Sequence, residues 1–320
     1  MSETTLLPEP KFLPELHPSY RPAIQANQAF RESARETNSA VDVGIALEQA
    51  DGSVFHHRTV IFPADHGLAG NNFRHVERII KFLLWQRGGW KIHLSGADDL
   101  VQQLQDYYQT NTFGKFDDDV IGVKNNGRSI EVTGCAELPQ EHSEARAIGR
   151  NLNGCRIGFD LGGSDRKAAA VIDGEVKFSE EIEWDPYFEL DPDYHYQGIT
   201  NSLKRAAEHL PRVDAIGGSA AGCYSHNRVT WASLFRGVEP KLFDEKVRDM
   251  FLNIGREWNV PLEVLNDGEV TALAGSMAMG KNGVLGIAMG TSQGGGYIDM
   301  NGNITTWLSE LAFAPVDMHP

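Results

Sequence analysis

The sequence is short of cysteine, of positive charge and of long apolar runs, and each shortage excludes a class of protein. Its 320 residues include three cysteines, Cys135, Cys155 and Cys223, whose spacing fits neither a zinc site nor a disulfide framework. No stretch approaches the roughly 20 apolar residues that a membrane-spanning helix needs. The N-terminus lacks the basic and apolar regions of a secretory signal. A reducing, cytoplasmic location without a membrane partner is therefore expected.

Positive charge is scarce as well. The chain has 29 Lys and Arg against 44 Asp and Glu, which gives a net charge of −15. Nonspecific nucleic-acid binding depends on Lys and Arg that neutralise phosphates, and here the basic residues are dispersed. The sequence therefore predicts no nucleic-acid partner. The hydrophobic content of 41% is that of a globular protein, and the length suits about two domains.

Two glycine-containing segments approach known nucleotide-binding motifs, and each fails at a required position. Residues 275–282 nearly spell a Walker A loop, but Asn282 stands where a magnesium-binding Ser or Thr belongs. That segment also closes a predicted helix, whereas the motif opens one. Residues 217–222 have Ser219 at the second glycine of the dinucleotide fingerprint. Neither segment predicts a nucleotide site.

The first half of the chain predicts an arm and a small α/β domain. Closely spaced prolines between residues 8 and 22 favour extended backbone, and a helix is predicted from Ala23 to Glu36. Residues 41–150 alternate strand and helix patterns, and Asp51-Gly52 between two apolar runs signals a hairpin. Three histidines there lack carboxylate or cysteine partners at ligand spacing, so ordinary surface or core histidines are expected rather than a metal site: His56, His57 and His66.

The second half begins with a strand–turn–strand–turn–strand pattern over residues 155–182. Its turns are the segment Asp160-Leu161-Gly162-Gly163-Ser164 and the pair Asp173-Gly174. Further elements are predicted along the chain: a helix (Tyr196 to His209), a strand (213–217), a long helix (Lys241 to Trp258), a strand (262–265), Asn266-Asp267, a helix (Glu269 to Met279), a strand (284–288), and glycine-rich segments (290–292 and 294–296).

Two glycine-rich turns with a lone aspartate between them can carry phosphate chemistry. A glycine turn lets backbone N–H groups approach phosphate oxygens without a Cβ in the way, and Ser164 and Thr291 add hydroxyl donors. Asp160 is the kind of group that holds a hydrated Mg²⁺. Asp267, at a strand end, is placed to accept a proton from a substrate hydroxyl, and Asn266 could orient that substrate.

With these motifs, residues 155–320 resemble the repressor/ORF/kinase (ROK) branch of the hexokinase–actin superfamily. Asp160 to Ser164 matches the family's first phosphate motif, and Asn266-Asp267 matches its Asn-Asp pair. The glycine-rich segment 290–296 matches its second phosphate motif. The resemblance implies an α/β fold of actin-like ATPase (RNase H-like) lobes, with Asp267 as catalytic base and Asp160 holding Mg²⁺ through water. The implied ATP contacts are Asp160, Gly162, Gly163, Ser164, Gly290, Thr291 and Ser292.

The sequence also departs from that family. Asp165 stands where the family often has a Lys. Glu310 matches a sugar-binding Glu, but Phe313 replaces the His that serves both the sugar and a zinc site, and no cysteine cluster follows. The resemblance therefore implies Asn266 and Glu310 as substrate contacts and no zinc, and it does not carry over a sugar specificity.

Four regions are expected on these grounds. They are an arm (1–40), an auxiliary α/β domain (41–150), a first actin-like lobe (151–280) and the start of a second lobe (281–320). Because the family builds further helices after this point, the second lobe is expected to be incomplete.

Two functions follow from the sequence. The first is an ATP-dependent kinase acting on a sugar or similar hydroxyl compound. The second is a non-catalytic ligand sensor of the same fold, without a DNA-binding domain, because residues 1–150 do not read as a helix-turn-helix. Asp267 discriminates between them, since a binding protein needs no base there, although a helix N-cap would also explain it. A homodimer is compatible with either function.

Overall fold

The computed structural model describes residues 6–290 and 292–319, so Thr291 lies outside the described residues. These residues divide into two compact units, one drawn from Met1–Glu144 together with Glu310–Pro320, and the other Ala145–Ser309. No helix within the described part of the chain is both long and apolar enough to cross a bilayer.

The division differs from the expected regions at both ends of the first unit. The arm and the auxiliary domain form a single unit, and the last described residues join it instead of continuing the second lobe. Backbone hydrogen bonds account for this: the N–H of Ala23 donates to Val316 O (2.9 Å) and the N–H of Met318 donates to Arg21 O (2.8 Å). The predicted 281–320 region is therefore split between the two units.

The first unit contains a four-stranded sheet in the order β2-β1-β3-β4 with helices packed on it. Its elements are α1 (Ala23–Glu36), β1 (Val41–Glu48), β2 (Val54–Ile61), α2 (Asn72–Arg87), β3 (Lys91–Ser95), α3 (Asp98–Thr110), α4 (Thr112–Asp117), a π-helical segment (Asp118–Asn125) and β4 (Glu131–Gly134). The predicted helix at Ala23 and the predicted hairpin are confirmed. The hairpin turn places Gly52 at φ +88°, which glycine adopts without steric cost.

The second unit holds a five-stranded sheet, a four-stranded sheet and a two-stranded ribbon. Its elements are β5 (Ala145–Arg146), β6 (Cys155–Leu161), β7 (Asp165–Ile172), β8 (Glu175–Glu183), α5 (Pro192–Ala207), β9 (Ala215–Ala220), β10 (Cys223–Ser225), β11 (Arg228–Trp231), α6 (Pro240–Leu242), α7 (Met250–Trp258), β12 (Leu262–Asn266), α8 (Asp267–Met279), β13 (Val284–Met289), β14 (Gln293–Ile298) and β15 (Ile304–Thr305). The sheet orders are β12-β9-β6-β7-β8, β13-β14-β15-β5 and β10-β11.

The five-stranded sheet carries the predicted meander. Strands β6, β7 and β8 pair antiparallel in sequence, while β9 joins β6 and β12 joins β9 in parallel. Along β6 the side chains of Ile157, Phe159 and Leu161 are buried and alternate with half-buried residues, because successive residues of a strand face opposite sides. The buried face packs into one core with α5 and α7. The mixed α/β architecture is the one expected for an actin-like lobe.

The predicted long helix from Lys241 to Trp258 is wrong in its middle. A π-helical turn, Phe243–Val247, follows α6, and α7 begins only at Met250. The carbonyl of Arg248 accepts a hydrogen bond from the N–H of Val229 in β11 (3.0 Å). Because this carbonyl accepts a hydrogen bond from a neighbouring strand, it does not take part in the i to i+4 hydrogen bonds of a helix, and the helix is interrupted there.

The glycine run 294–296 was predicted to lie in a turn, and this is wrong, whereas its contact with phosphate stays a prediction. These residues lie inside β14, where the backbone of α8 packs directly against the strand. A Cβ atom at Gly296 would lie 2.3 Å from the Cα of Glu269, and a Cβ at Gly268 would lie 2.6 Å from the N of Gly295. The glycines permit a backbone-to-backbone contact between helix and strand.

Gly296→Ala is expected to destabilise the second unit by about 1–3 kcal/mol, because the added methyl collides with backbone that cannot rotate away. Gly217→Ala is the matched control. Gly217 lies in β9, and a Cβ there would meet no heavy atom within 4 Å. Urea unfolding of both variants measures the difference, and equal stability of the two would contradict this packing account.

Candidate active site

Asp160 lies in a polar row that crosses the five-stranded sheet. Its register partners are Ser219 on β9 and Lys167 on β7, and Lys167 in turn pairs with Glu181 on β8. Residues paired in register share a face, so these four occupy the side of the sheet opposite the core. Acidic, basic and hydroxyl groups thus meet where β6 ends.

A row of small residues lies next to the polar row. In register across the same strands stand Gly217, Gly158, Ala169 and Ser179. A Cβ at Gly158 or Gly217 would meet no heavy atom within 4 Å, so the space above them is open. The small row forms a shallow floor, and the polar row forms its charged margin.

Helix α8 closes one side of this floor and makes it a cleft. The cleft has a volume of about 730 Å³, within the range of about 300–1,000 Å³ usual for small-molecule sites. From α8 it is lined by Asp267, Val270, Thr271 and Ala274. Asp160 and Asp267, from separate segments of the chain, therefore line one cleft, as their predicted roles require.

The ionisation of Asp267 depends on its burial and on the neighbouring Asp160. Burial raises the pKa of Asp267 above its ordinary value, and the negative charge of Asp160 raises it further. A hydrogen bond from the N–H of Gly268 (2.9 Å) opposes this by stabilising the carboxylate. The pKa of Asp267 thus lies closer to neutral pH than that of a solvated aspartate.

The start of α8 is capped by the neighbours of Asp267. Asn266 is the N-cap: its side-chain oxygen accepts from the N–H of Gly268 (2.8 Å), and Glu269 accepts from the N–H of Asn266 (3.0 Å). This reciprocal pair is a capping box. Capping therefore does not explain Asp267, which is the first residue inside the helix.

The side chain of Asn266, which was predicted to orient a substrate, already makes hydrogen bonds within the chain. The amide nitrogen of Asn266 donates to Gly222 O (2.8 Å), and its oxygen is used by the cap. Asn266 is buried, and its polar atoms serve the chain itself. A substrate contact by Asn266 stays a prediction that this geometry does not favour.

The first glycine turn joins β6 to β7 and is stabilised from within. The N–H of Gly162 donates to Asp165 O (2.9 Å), and the indole of Trp184 donates to Gly162 O (2.8 Å). A Cβ at Gly163 would lie 1.9 Å from the hydroxyl of Tyr187, so a larger residue there would have to displace the Tyr187 side chain. Ser164 is exposed and donates to Asp165 (2.9 Å).

Lys167 is the site residue that the sequence reasoning missed. Its Nζ lies 2.6 Å from Asp165 and 3.8 Å from Asp160, and the hydrogen bond that Lys167 donates to Asp165 raises the pKa of Lys167. Arg166 points to the other face, where it donates to Ser202. The alternation of the predicted strands could have identified Lys167, since Lys167 stands opposite Asp160 across the predicted hairpin.

The remaining predicted contacts fall in different places. Gly290 lies in the turn after β13, and its N–H donates to Ser292 O (3.0 Å). Glu310 belongs to the first unit, where it is buried and precedes a short 3-10 turn. Phe313 in that turn stacks on Trp85 with ring centroids 4.5 Å apart. The substrate role of Glu310 and the ATP contacts of the second turn stay predictions.

No protein-family model and no curated protein matches the chain. Solved structures that resemble it include a ROK hexokinase from Thermus thermophilus (18% identity, 49% of this chain and 51% of that chain, TM-score 0.38). A putative N-acetylmannosamine kinase from Listeria monocytogenes is similar too (21%, 49% and 51%, TM-score 0.38). So is a ROK family transcriptional regulator, a homolog of the E. coli MLC protein (17%, 67% and 50%, TM-score 0.40). The chain spans about half the length of these structures, and the likeness is too distant to assign an activity.

No group of three or more His, Cys, Asp or Glu able to hold a metal ion occurs among residues 6–290 and 292–319. The absence of zinc stays a prediction from the sequence. Elemental analysis of chelator-washed protein should find far less than one zinc per chain. Stoichiometric zinc would contradict it.

Glu269→Gln is expected to remove a pH dependence from the stability of the second unit. Burial raises the pKa of Glu269 from 4.5 to about 7. The folded state therefore holds the proton more tightly, and wild-type stability is fully present below pH 4.5 and falls as the pH rises through about 7. Gln can still accept the hydrogen bond from the Asn266 N–H, but it carries no charge. The free energy of unfolding of Glu269→Gln relative to wild type should therefore rise by about 1–3 kcal/mol over that pH range.

Urea unfolding of wild type and variant on both sides of this pH range measures the change. Glu183→Gln is the control, because Glu183 is exposed on β8. A stability difference between Glu269→Gln and wild type that does not vary with pH would show that Glu269 is not held protonated.

Proposed function

We propose that the second unit is part of a ROK-type kinase that transfers the γ-phosphoryl group of ATP to a hydroxyl of a sugar or sugar-like molecule. The observation that carries the proposal is the joint position of two carboxylates. Asp160 at the end of β6 and Asp267 at the start of α8 line one cleft, and the charge of Asp160 raises the pKa of Asp267.

In this proposal Asp267 is the general base. Phosphoryl transfer asks the protein mainly for positioning and for charge stabilisation, together with a group that accepts the proton of the attacking hydroxyl. A base works best with a pKa near the working pH, and the raised pKa of Asp267 lies in that direction. Asn266 and Glu269 already make the capping box, so capping of α8 does not require Asp267, and this favours the role of base.

Asp160 and Lys167 would handle the charge of the nucleotide. The side chain of Asp160 is 42% exposed and lines the cleft together with Asp267. A divalent cation would reduce the repulsion between these two carboxylates. Mg²⁺ keeps most of its waters and takes few carboxylates, so Asp160 fits as its ligand through water. When bound, the ion would neutralise phosphate charge. Lys167, in the same row, would contact phosphate oxygens directly.

The non-catalytic sensor remains a second candidate, and one observation favours it. The Asn266 amide and the Gly162 N–H, both predicted to contact ligand, are hydrogen-bonded within the chain. Fewer groups are then left to orient a substrate hydroxyl than in the kinase prediction. Under this alternative the cleft would bind nucleotide or sugar without turnover.

Asp267→Asn should lower kcat by about 100-fold or more while nucleotide affinity and melting temperature stay close to wild type. Asn is nearly isosteric and can still accept from Gly268, but it cannot take a proton. Asp185→Asn is the control, because Asp185 is exposed after β8 and does not line the cleft. The assay uses the full-length protein with ATP, Mg²⁺ and a broad panel of sugars.

The outcomes separate the candidates. Loss of turnover with retained nucleotide binding supports the base. Nucleotide binding with no turnover in wild type supports the sensor. Turnover that survives Asp267→Asn removes Asp267 from the mechanism. The absence of a nucleic-acid partner belongs to the proposal and is checked by the same protein failing to shift a duplex DNA probe.

A further inference from the structure

A groove of about 530 Å³ opens on the first unit, far along the sequence from the proposed kinase residues. It lies between α1, β2, α2 and the segment around Val316. Its volume suits a small organic molecule. No predicted site residue lines it.

The walls of the groove are apolar and open to solvent. Ile24 on α1 is 71% exposed, Phe82 on α2 is 37% exposed and Val316 is 59% exposed. Large apolar side chains grouped around one concavity mark a binding surface, whereas scattered single ones do not.

The charge of the groove opposes that of the chain. Arg31 and Arg78 line it, and no described Asp or Glu does, although the chain has a net charge of −15. Arg78 is paired with Glu77 at 3.4 Å. Arg31 makes no hydrogen bond or ion pair with any residue in the described part of the chain. Its half-buried guanidinium is therefore available to an anion.

Two further polar atoms in the groove lack partners. Nε2 of His57 and Oδ1 of Asn27 are buried and make no hydrogen bond within residues 6–290 and 292–319. Burial and the charge of Arg31 lower the pKa of His57, so its imidazole is neutral and can donate from Nε2. Asn27 lies four residues before Arg31 and shares its face of α1. Its amide can turn to present the NH₂ group.

We propose that this groove binds a small organic acid, an apolar chain or ring that ends in one carboxylate. The apolar body would cover Ile24, Phe82 and Val316. The carboxylate would meet Arg31, with donors from His57 and Asn27 beside it. A carboxylate is preferred to an alcohol because a guanidinium gives its strongest hydrogen bonds to a charged acceptor. A cation is disfavoured by both arginines.

The test is calorimetric titration of the full chain with sodium octanoate, and with 1-octanol and octylamine of the same chain length. Octanoate is expected to bind at least ten-fold more tightly than either, since a charge-assisted hydrogen bond contributes enough for about that factor. Arg31→Gln should lose that advantage. Arg35→Gln, one turn further along α1 and exposed, should keep it.

A second variant guards against misfolding of the first. Ile24→Glu changes an exposed residue and places a negative charge at the groove, so it should abolish octanoate binding without lowering the melting temperature. Equal affinity for the three probes, or binding unaffected by both variants, overturns the proposal. So does a dimer in sedimentation that Ile24→Glu dissociates, because the groove would then be an interface between copies. None of these readouts depends on kinase turnover.

Discussion

The second unit depends on how helix α8 begins. Asn266 ends β12 and caps α8, and Glu269 returns a hydrogen bond to the Asn266 backbone. Because β12 and α8 meet at this one residue, the direction of the helix is fixed relative to the sheet. Asp267, the next residue, is carried to the edge of the cleft by that junction.

The glycines around α8 hold the same junction from the other side. Gly268 and Gly296 allow the first turn of the helix and strand β14 to touch through their backbones. This contact brings Gly294 close to the site, since a Cβ there would lie 2.9 Å from the Asn266 side-chain oxygen. The family resemblance assigns Gly294 and Gly296 to the second phosphate motif. The geometry shows that packing already requires Gly296, so its presence is no measure of nucleotide binding.

Local patterns predicted most elements of the fold, and long-range contacts decided the rest. The helix Ala23–Glu36 and the β6–β8 meander follow from apolar spacing and turn residues that lie within a short window. The break after Val247 depends on a hydrogen bond to Val229 in a separate strand, which no local pattern contains. Lys167 was missed for a different reason: the predicted hairpin contains it, but its importance comes from Asp160 opposite it and not from its own residue type.

The two carboxylates of the cleft show why position adds information that residue type lacks. An Asp at a strand end or at a helix start has common structural explanations, such as a turn or an N-cap. Once Asn266 and Glu269 are seen to make the cap, that explanation no longer covers Asp267. Burial and the charge of Asp160 both disfavour the ionised form of Asp267, and the hydrogen bond from the Gly268 N–H offsets this only in part. The raised pKa of Asp267 thus coincides with a position that lines the cleft, and this combination separates Asp267 from the many exposed acids of the chain.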